Sequence, residues 1–406
     1  MKMIMSNGEI TKMHYLNDER RLIRQVAREF TDQEVLPLAN SLDPQRGEIP
    51  MGLRNQMAAL GYFAIRIPVE EGGLGLGVFE YCLISEELAR GWMSVASIIA
   101  RSNSLMKMGL WSKAKRLEKT RLAASGDYLS AIAFSEPQAG SDLKSLSCRA
   151  ILKDNQWLIS GNKYWCTFAD GADYIELLAR VDGVDENERV FKGIRTFIIE
   201  KARGALPPGC RGAPIPKIGY FGWKTWELAF DQCAIPKENI VSDQIDGSES
   251  EQPVDGFQHA VNWLNAARVQ TAARAIGLAQ GAFEAATAYA KQRVQFNQPI
   301  AAFQETRFKL AKMAANIEAA RQLMYHAATL MDLGERADQE ASMAKWFATE
   351  MAEDATSDAM QIFGGAGYTT LYPIERYWRD ARLTKIFEGT SEIQLRIISD
   401  RLLGKP

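Results

Sequence analysis

The sequence predicts a mainly helical α+β protein of several domains, with helices first, strands second and helices again last. Three observations carry that reading. Apolar residues recur near helical spacing from residue 16 to about 125, as in Leu22, Val26, Phe30 and Val35, with charges between them. From about 128 to 240 the pattern shortens to strand-like runs. After Gly256 the helical period returns and lasts to the end. The expected domains are therefore 1–126, 127–243 and 244–406, with a polar, acidic linker from Asp243 to Gly256.

In the first domain a second helical pattern, Tyr81 to Leu88, ends near Gly91. The preceding run Ile67-Pro-Val-Glu-Glu-Gly-Gly-Leu-Gly-Leu-Gly77 is rich in glycine. It is not G-x-G-x-x-G, because Val78 stands where the last glycine belongs, and no P-loop occurs, so it reads as a structural loop. In the second domain Trp157-Leu-Ile159 follows a turn at Asp154-Asn155. Tyr174-Ile-Glu-Leu-Leu178 and Thr196-Phe-Ile-Ile199 are short apolar runs, and Trp226, Leu228 and Phe230 alternate with polar or small residues. These spacings suit a small β-barrel or sandwich. In the third domain Leu310, Met313, Ile317, Met324 and Met331 keep three- or four-residue steps or their multiples. Alanine-rich stretches such as Ala266 to Ala288 let helices approach closely, and breaks near Gln298-Pro299 and Gly334 suggest long antiparallel helices in a bundle.

Composition excludes several function classes. A chain of 406 residues has room for two or three domains with ample core. Its net charge of −2 asks for neither nucleic acid nor an anionic membrane. The longest apolar runs, such as Val95 to Ala100, are too short to span a bilayer. Met1 to Leu16 lacks a continuous apolar segment, so no signal peptide and a cytoplasmic location are expected. Cys82, Cys148, Cys166, Cys210 and Cys233 are scattered without a C-x-x-C pair and read as reduced thiols. His14, His259 and His326 lack H-E-x-x-H spacing, so no metal is expected.

The stretch Arg379-Asp-Ala-Arg-Leu-Thr-Lys-Ile-Phe-Glu-Gly-Thr-Ser-Glu-Ile-Gln394 is the strongest candidate for chemistry. Glu388 precedes Gly389 at a break between two helical patterns, where a carboxylate is poorly explained as packing. Ser391 and Gln394 have the S-x-x-Q spacing of a capping box, so a helix should start near Ser391. Glu388 then lies in a short loop beside a helix N-terminus, on backbone that Gly389 lets turn freely.

Phe387-Glu388-Gly389-Thr390-Ser391-Glu392-Ile393-Gln394 resembles the Tyr-Glu-Gly-Thr-Ser-x-Ile-Gln motif near the end of acyl-CoA dehydrogenases, and the resemblance recurs in order along nearly the whole chain. It implies an N-terminal helical domain, a central β-domain and a C-terminal four-helix bundle. It also implies α,β-dehydrogenation of a CoA thioester with FAD, which chemistry requires because no side chain accepts a hydride. Glu388 would be the base, and its backbone N–H would help hold the thioester oxygen. Relatives that carry the base on a helix have it just before an arginine; here that place is Ala267, preceding Arg268, and alanine cannot titrate. Phe387 replaces the usual tyrosine.

The resemblance also places the cofactor and substrate residues. Phe134-Ser135-Glu136-Pro137-x-Ala-Gly140-Ser141-Asp142 resembles the flavin and CoA loop, with Ser135 near the flavin ring and Ser141 on the CoA arm. Trp165-Cys166-Thr167 stands where the family has Trp-Ile-Thr, so Trp165 would pack on the flavin and Thr167 would reach its reactive nitrogen. Arg293 and Gln304, flanking Phe296-Asn-Gln-Pro299, with Gln361, Gly364 and Gly365, would meet the pyrophosphate and adenine across a subunit interface. Thr390 and Glu392 would complete the site beside the base. A site shared between chains implies an oligomer, in this family usually a tetramer built as a dimer of dimers.

For the acyl group, Arg90-x-x-Met-Ser94-Val resembles the glutaryl-CoA dehydrogenase branch, in which the matching arginine and serine hold a distal carboxylate. Four-residue spacing places Arg90 and Ser94 on one face of a helix. Asn265 and Arg268 fit the same branch, and Arg101 aligns near the pocket floor of medium-chain relatives. The expected substrate therefore bears a second carboxylate, as in glutaryl-CoA or an aryl-substituted succinyl-CoA, and the expected electron acceptor is an electron-transfer flavoprotein. The alternatives are a short- or branched-chain acyl-CoA dehydrogenase, an oxidase, a catalytically silent flavin- or acyl-CoA-binding protein, and a plain helical scaffold.

Overall fold

The computed structural model describes residues 15–103, 111–181, 193–241 and 256–404, with backbone alone at 256–263. The N-terminal stretch to residue 14 and the acidic linker, apart from Gly256, lie outside these. The expected order of helices, strands and helices holds. Helix α1 (Asp18–Phe30) begins where the Asn17 side chain accepts the Arg20 N–H at 2.8 Å. Arg20, Arg24 and Arg28 follow at four-residue steps and so share one face. That face meets the acidic side of α4 (Val78–Gly91), which is buried along its whole length. Arg20 pairs with Glu80 at 2.6 Å, and Arg24 with Glu87 at 2.8 Å. Burying carboxylates in a central helix is tolerable only with such partners. After α2 (Leu36–Leu42) and α3 (Met51–Ala59), the glycine-rich run folds as a tight loop. Its N–H groups are spent internally: those of Gly73, Leu74, Gly75 and Leu76 donate to Pro68, Ala64, Ile67 and Ile65 carbonyls. They are therefore not a phosphate cradle. The first domain ends with α5 (Met93–Ile98), α6 (Ala100–Asn103) and α7 (Lys113–Ala124).

The β-domain is one mixed seven-stranded sheet. Its strands are β1 (Ser130–Ala133), β2 (Arg149–Lys153), β3 (Gln156–Thr167), β4 (Tyr174–Val181), β5 (Gly193–Glu200), β6 (Cys210–Pro214) and β7 (Thr225–Pro236). They run in the order β1-β4-β2-β3-β7-β6, with β5 also pairing β4. Asp154 and Asn155, at φ 49° and 60°, make the tight β2–β3 hairpin that their residue types favour. Irregular register between Lys163 and Cys166 marks a bulge in β3 against β7.

The C-terminal domain is built on three long helices, α8 (Gly256–Gln292), α9 (Gln304–Asp332) and α10 (Asp338–Phe363). A short hairpin of β8 (Val294–Gln295) and β9 (Gln298–Pro299) joins α8 to α9, and Gly334 at φ 69° terminates α9 ahead of α10. Helices α11 (Ile374–Thr384) and α12 (Ser391–Leu403) close the chain. Where α8 crosses α4 the backbones nearly touch: a Cβ on Gly277 would lie 2.2 Å from the Glu86 carbonyl. Among the described residues no helix is long and apolar enough to cross a membrane, and no cluster of metal-ligating side chains occurs.

Candidate active site

Glu388 lies between α11 and α12 at φ 55°, followed by Gly389 at φ 92°. A left-handed residue other than glycine costs roughly 1–3 kcal/mol and persists only where its surroundings hold it. Here the Gly389 carbonyl accepts from Lys345 Nζ at 2.6 Å and from Gln394 Nε2 at 2.9 Å. Helix α12 starts at Ser391 as expected, but its cap is Thr390, which accepts the Ile393 N–H at 3.4 Å. The expected capping box is thus not formed. Ser391 donates instead to Glu350 on α10, and Gln394 is spent on the Gly389 turn.

The Glu388 carboxylate turns inward, with its side chain 19% exposed. Arg274 Nη2 on α8 donates to both its oxygens at 2.8 Å, and the Thr271 hydroxyl donates to Oε2. Arg274 is 2% exposed and also donates to Ser97 Oγ on α5 at 2.9 Å, beneath the Phe387 ring. Burial works against the Arg274 charge, but Glu388 outweighs it and raises the pKa. Two further buried cations feel the same carboxylate. Burial pushes Lys345 down to about 7 and Arg268 down to about 10, with Glu388 opposing in each case. Asn265 accepts from Arg268 Nη1, while Arg268 Nε has no partner. Ala267, where a base on the helix would stand, is buried.

The residues expected to meet the flavin ring gather at one end of the sheet. Ser135 follows β1, and its carbonyl accepts the Tyr164 N–H of β3 at 2.9 Å. The β3 bulge throws Trp165 outward at φ 63° and 58% exposure, which reverses the usual reading of a strand tryptophan as core. Thr167 lies beyond it, its hydroxyl 3.0 Å from that of Thr225. An exposed indole flanked by two hydroxyl residues fits the face and edge of a flavin ring. Phe134 is buried; its carbonyl accepts from Lys163 Nζ at 3.0 Å. Lys163 also pairs with Glu136 at 2.8 Å in a fully buried contact. Burial pushes the Glu136 carboxyl up, but Lys163 and the N–H groups of Ser147 and Cys148 outweigh it and hold it down at about 2. This pair pins the loop on which Ser135 and the exposed Ser141 sit.

Arg293, Gln304, Gln361, Gly364 and Gly365 are all exposed, at the end of the bundle where α8 and α10 finish and α9 begins. From Arg274 to the end of α8 at Gln292 is about 27 Å at 1.5 Å per residue. The expected cofactor residues thus fall into two groups, one at the sheet and one at the bundle end about 27 Å along α8 from Arg274. Thr390 and Glu392 line a separate surface cleft of about 510 Å³ with Trp346, Lys385 and Leu395.

The expected carboxylate pocket of Arg90 and Ser94 is not formed. Helix α4 ends at Gly91, Trp92 is extended at φ −158°, and α5 starts anew, so the two residues do not share a helical face. Arg90 is already bonded to Asp32 at 2.5 Å, Glu87 at 3.0 Å and Glu284 at 3.2 Å. Glu284 lies about 15 Å along α8 from Arg274. Ser94 is buried and donates to the Phe221 carbonyl. Arg101 is half-buried on α6, within electrostatic reach of Cys166 and Tyr174 on the sheet. Sequence reasoning missed Arg274, Thr271 and Lys345. The available signal was a lone arginine inside the alanine-rich run Ala272-Ala-Arg-Ala-Ile276.

The chain matches family models for the N-terminal, middle and C-terminal domains of acyl-CoA dehydrogenases over residues 17–121, 131–233 and 254–403. It is 39% identical to an acyl-CoA dehydrogenase of Bacillus subtilis over 96% of this chain and 99% of that protein. It is 38% identical to the (2S)-methylsuccinyl-CoA dehydrogenase of Cereibacter sphaeroides, over 96% of this chain and 70% of that one. A solved glutaryl-CoA dehydrogenase bound to glutaryl-CoA superposes with a TM-score of 0.85 at 31% identity, covering 96% of each chain. The chain therefore belongs to the acyl-CoA dehydrogenase family, whose members are FAD-dependent oxidoreductases.

Proposed function

We infer that the protein dehydrogenates an acyl-CoA thioester between its α and β carbons, with Glu388 as the base. The observation that carries this reading is a carboxylate held in a left-handed loop, turned into the protein and reachable at 19% exposure. Glu388 takes the α-proton, and its own backbone N–H is the donor to the thioester oxygen as charge develops there. Bound FAD supplies the acceptor for the β-hydride. Ser135, Trp165 and Thr167 would hold its ring, and Ser141 the CoA arm. Arg293, Gln304, Gln361, Gly364 and Gly365 would hold its pyrophosphate and adenine from a second copy. The placement of one group at an end of the sheet and the other at the far end of α8 supports that sharing, as do exposed Phe296, Tyr368 and Leu371 beside the second group. We assign the assembly as a homotetramer, a dimer of dimers, in the cytoplasm, passing electrons to an electron-transfer flavoprotein.

The acyl group carries a second carboxylate, of the glutaryl-CoA or aryl-substituted succinyl-CoA type. Three buried cations around one carboxylate support this, because unpaired buried charge is costly. The names of the methylsuccinyl-CoA and glutaryl-CoA relatives agree. The test is anaerobic titration of the yellow protein with a panel of CoA esters. At least one ester should bleach the wild type, and Glu388→Gln should stay yellow without bleaching. Bleaching of that variant at the wild-type rate refutes Glu388 as the base. Rapid reoxidation in air would mark an oxidase instead.

A further inference from the structure

Arg274 is a buried cation in direct contact with the Glu388 carboxylate, and that partner must move. Its carboxylate partner among the described residues is Glu388, at 2.8 Å. Its other contacts, Ser97 Oγ at 2.9 Å and Thr271 Oγ1 at 2.8 Å, are neutral, and its Nε has no partner. A base that reaches for a substrate α-proton gives up at least part of its bond to this guanidinium. An arginine 2% exposed cannot then be rescued by water. Arg90, the other candidate, keeps three carboxylates whatever Glu388 does.

We propose that Arg274 is the receptor for the substrate's second carboxylate, which displaces Glu388 from it and frees the base for the α-proton. The proposal rests on the reading of Glu388 as the base. It also fixes the length of the acyl group. A working base lies about 3–3.5 Å from the reacting carbon, so the second carboxylate lies within roughly 6 Å of it. That selects succinyl- and glutaryl-type esters, with the carboxylate one or two carbons beyond the α-carbon, over adipyl-CoA. Monocarboxylic esters leave Glu388 tied to Arg274 and react slowly. No covalent bond is made or broken in the exchange; one carboxylate replaces another on the guanidinium, whose Nη2 donates to both oxygens of Glu388.

The experiment compares butyryl-, succinyl-, methylsuccinyl-, glutaryl- and adipyl-CoA in the FAD-loaded enzyme and in Arg274→Gln, Arg274→Lys and Glu388→Gln. The kcat/KM ratio of the best short dicarboxylic ester to butyryl-CoA should fall about 100-fold or more in Arg274→Gln, with partial recovery in Arg274→Lys. Calorimetry on Glu388→Gln, which cannot turn over, provides a readout without an Arg274 variant. Loss of the competing carboxylate should tighten succinyl- or glutaryl-CoA about tenfold relative to butyryl-CoA. A wild type that favours butyryl-CoA, or a binding ratio unmoved in Glu388→Gln, overturns the proposal while leaving the dehydrogenase reading intact. Bleaching of Glu388→Gln at the wild-type rate removes the base, and the proposal falls with it.

Discussion

Arg90→Met separates a structural arginine from a substrate-binding one. Methionine keeps the apolar stem and removes the guanidinium that bridges α4, α8 and Asp32 in the turn following α1. Breaking a buried ion pair typically costs 3–5 kcal/mol because a charge is stranded. Here the stranding is incomplete. Glu87 keeps Arg24 at 2.8 Å and Arg28 at 3.4 Å, Glu284 keeps Arg28 at 2.7 Å, and Asp32 is half exposed. The cost should therefore sit near the bottom of that range, about 3 kcal/mol. Unfolding entropy of about 2.1 cal/mol/K per residue gives roughly 0.85 kcal/mol/K for a chain of 406 residues, so Tm should drop by about 3–4 °C. The assay is a thermal melt run beside kcat/KM for glutaryl-CoA and butyryl-CoA. The melt should shift while the ratio of the two esters does not. An unshifted melt with a selective loss of glutaryl-CoA would restore Arg90 to the acyl pocket and refute this assignment.

Three further outcomes follow from single contacts. Lys163→Met strands Glu136, 1% exposed, and should cost about 3–5 kcal/mol and lower the flavin-to-protein ratio; an unchanged melt and full flavin content would show that the loop needs no such pin. Gly277→Ala puts a methyl 2.2 Å from the Glu86 carbonyl and should destabilise by about 2 kcal/mol or more, whereas Gly52→Ala, with nothing within 4 Å on α3, should be neutral or stabilising by up to about 1 kcal/mol; equal melts for the two would contradict the close α4–α8 crossing. Asp380 is fully buried and accepts the Tyr220 N–H at 2.6 Å; burial, then Asp43, push its carboxyl up to about 7, against Arg379. Its folded pKa is raised, so its stabilising contribution is complete below the ordinary value of 3.8 and is lost as pH rises through about 7. Asp380→Asn should therefore raise Tm at pH 8, with a gain that shrinks toward pH 4; a gain independent of pH would contradict the buried titration.

The order of helical and strand periods was legible because each depends on side-chain spacing along one element. The turn at Asp154-Asn155 and the end of α4 at Gly91 were legible for the same local reason. The Trp165 position was legible as a motif but not as geometry, since a bulge depends on the register between β3 and β7. The capping box failed because Ser391 and Gln394 found better partners in Glu350 and Gly389, brought by α10 and by the turn itself. Local spacing cannot weigh a partner supplied by tertiary packing.

The same limit explains the two arginines. In the sequence Arg90 has the stronger claim, with a serine four residues on and a family pattern around it. Arg274 has alanines on either side and no pattern. What separates them is the number of carboxylates each meets among the described residues, three for Arg90 and one for Arg274. A guanidinium with three anionic neighbours has no remaining demand for a fourth. One whose carboxylate neighbour must leave during the reaction does have that demand, and at 2% exposure Arg274 meets it from a ligand and not from bulk water. Specificity for a charged acyl group would then arise from the same contact that restrains the base, so an ester lacking the charge would bind without releasing it.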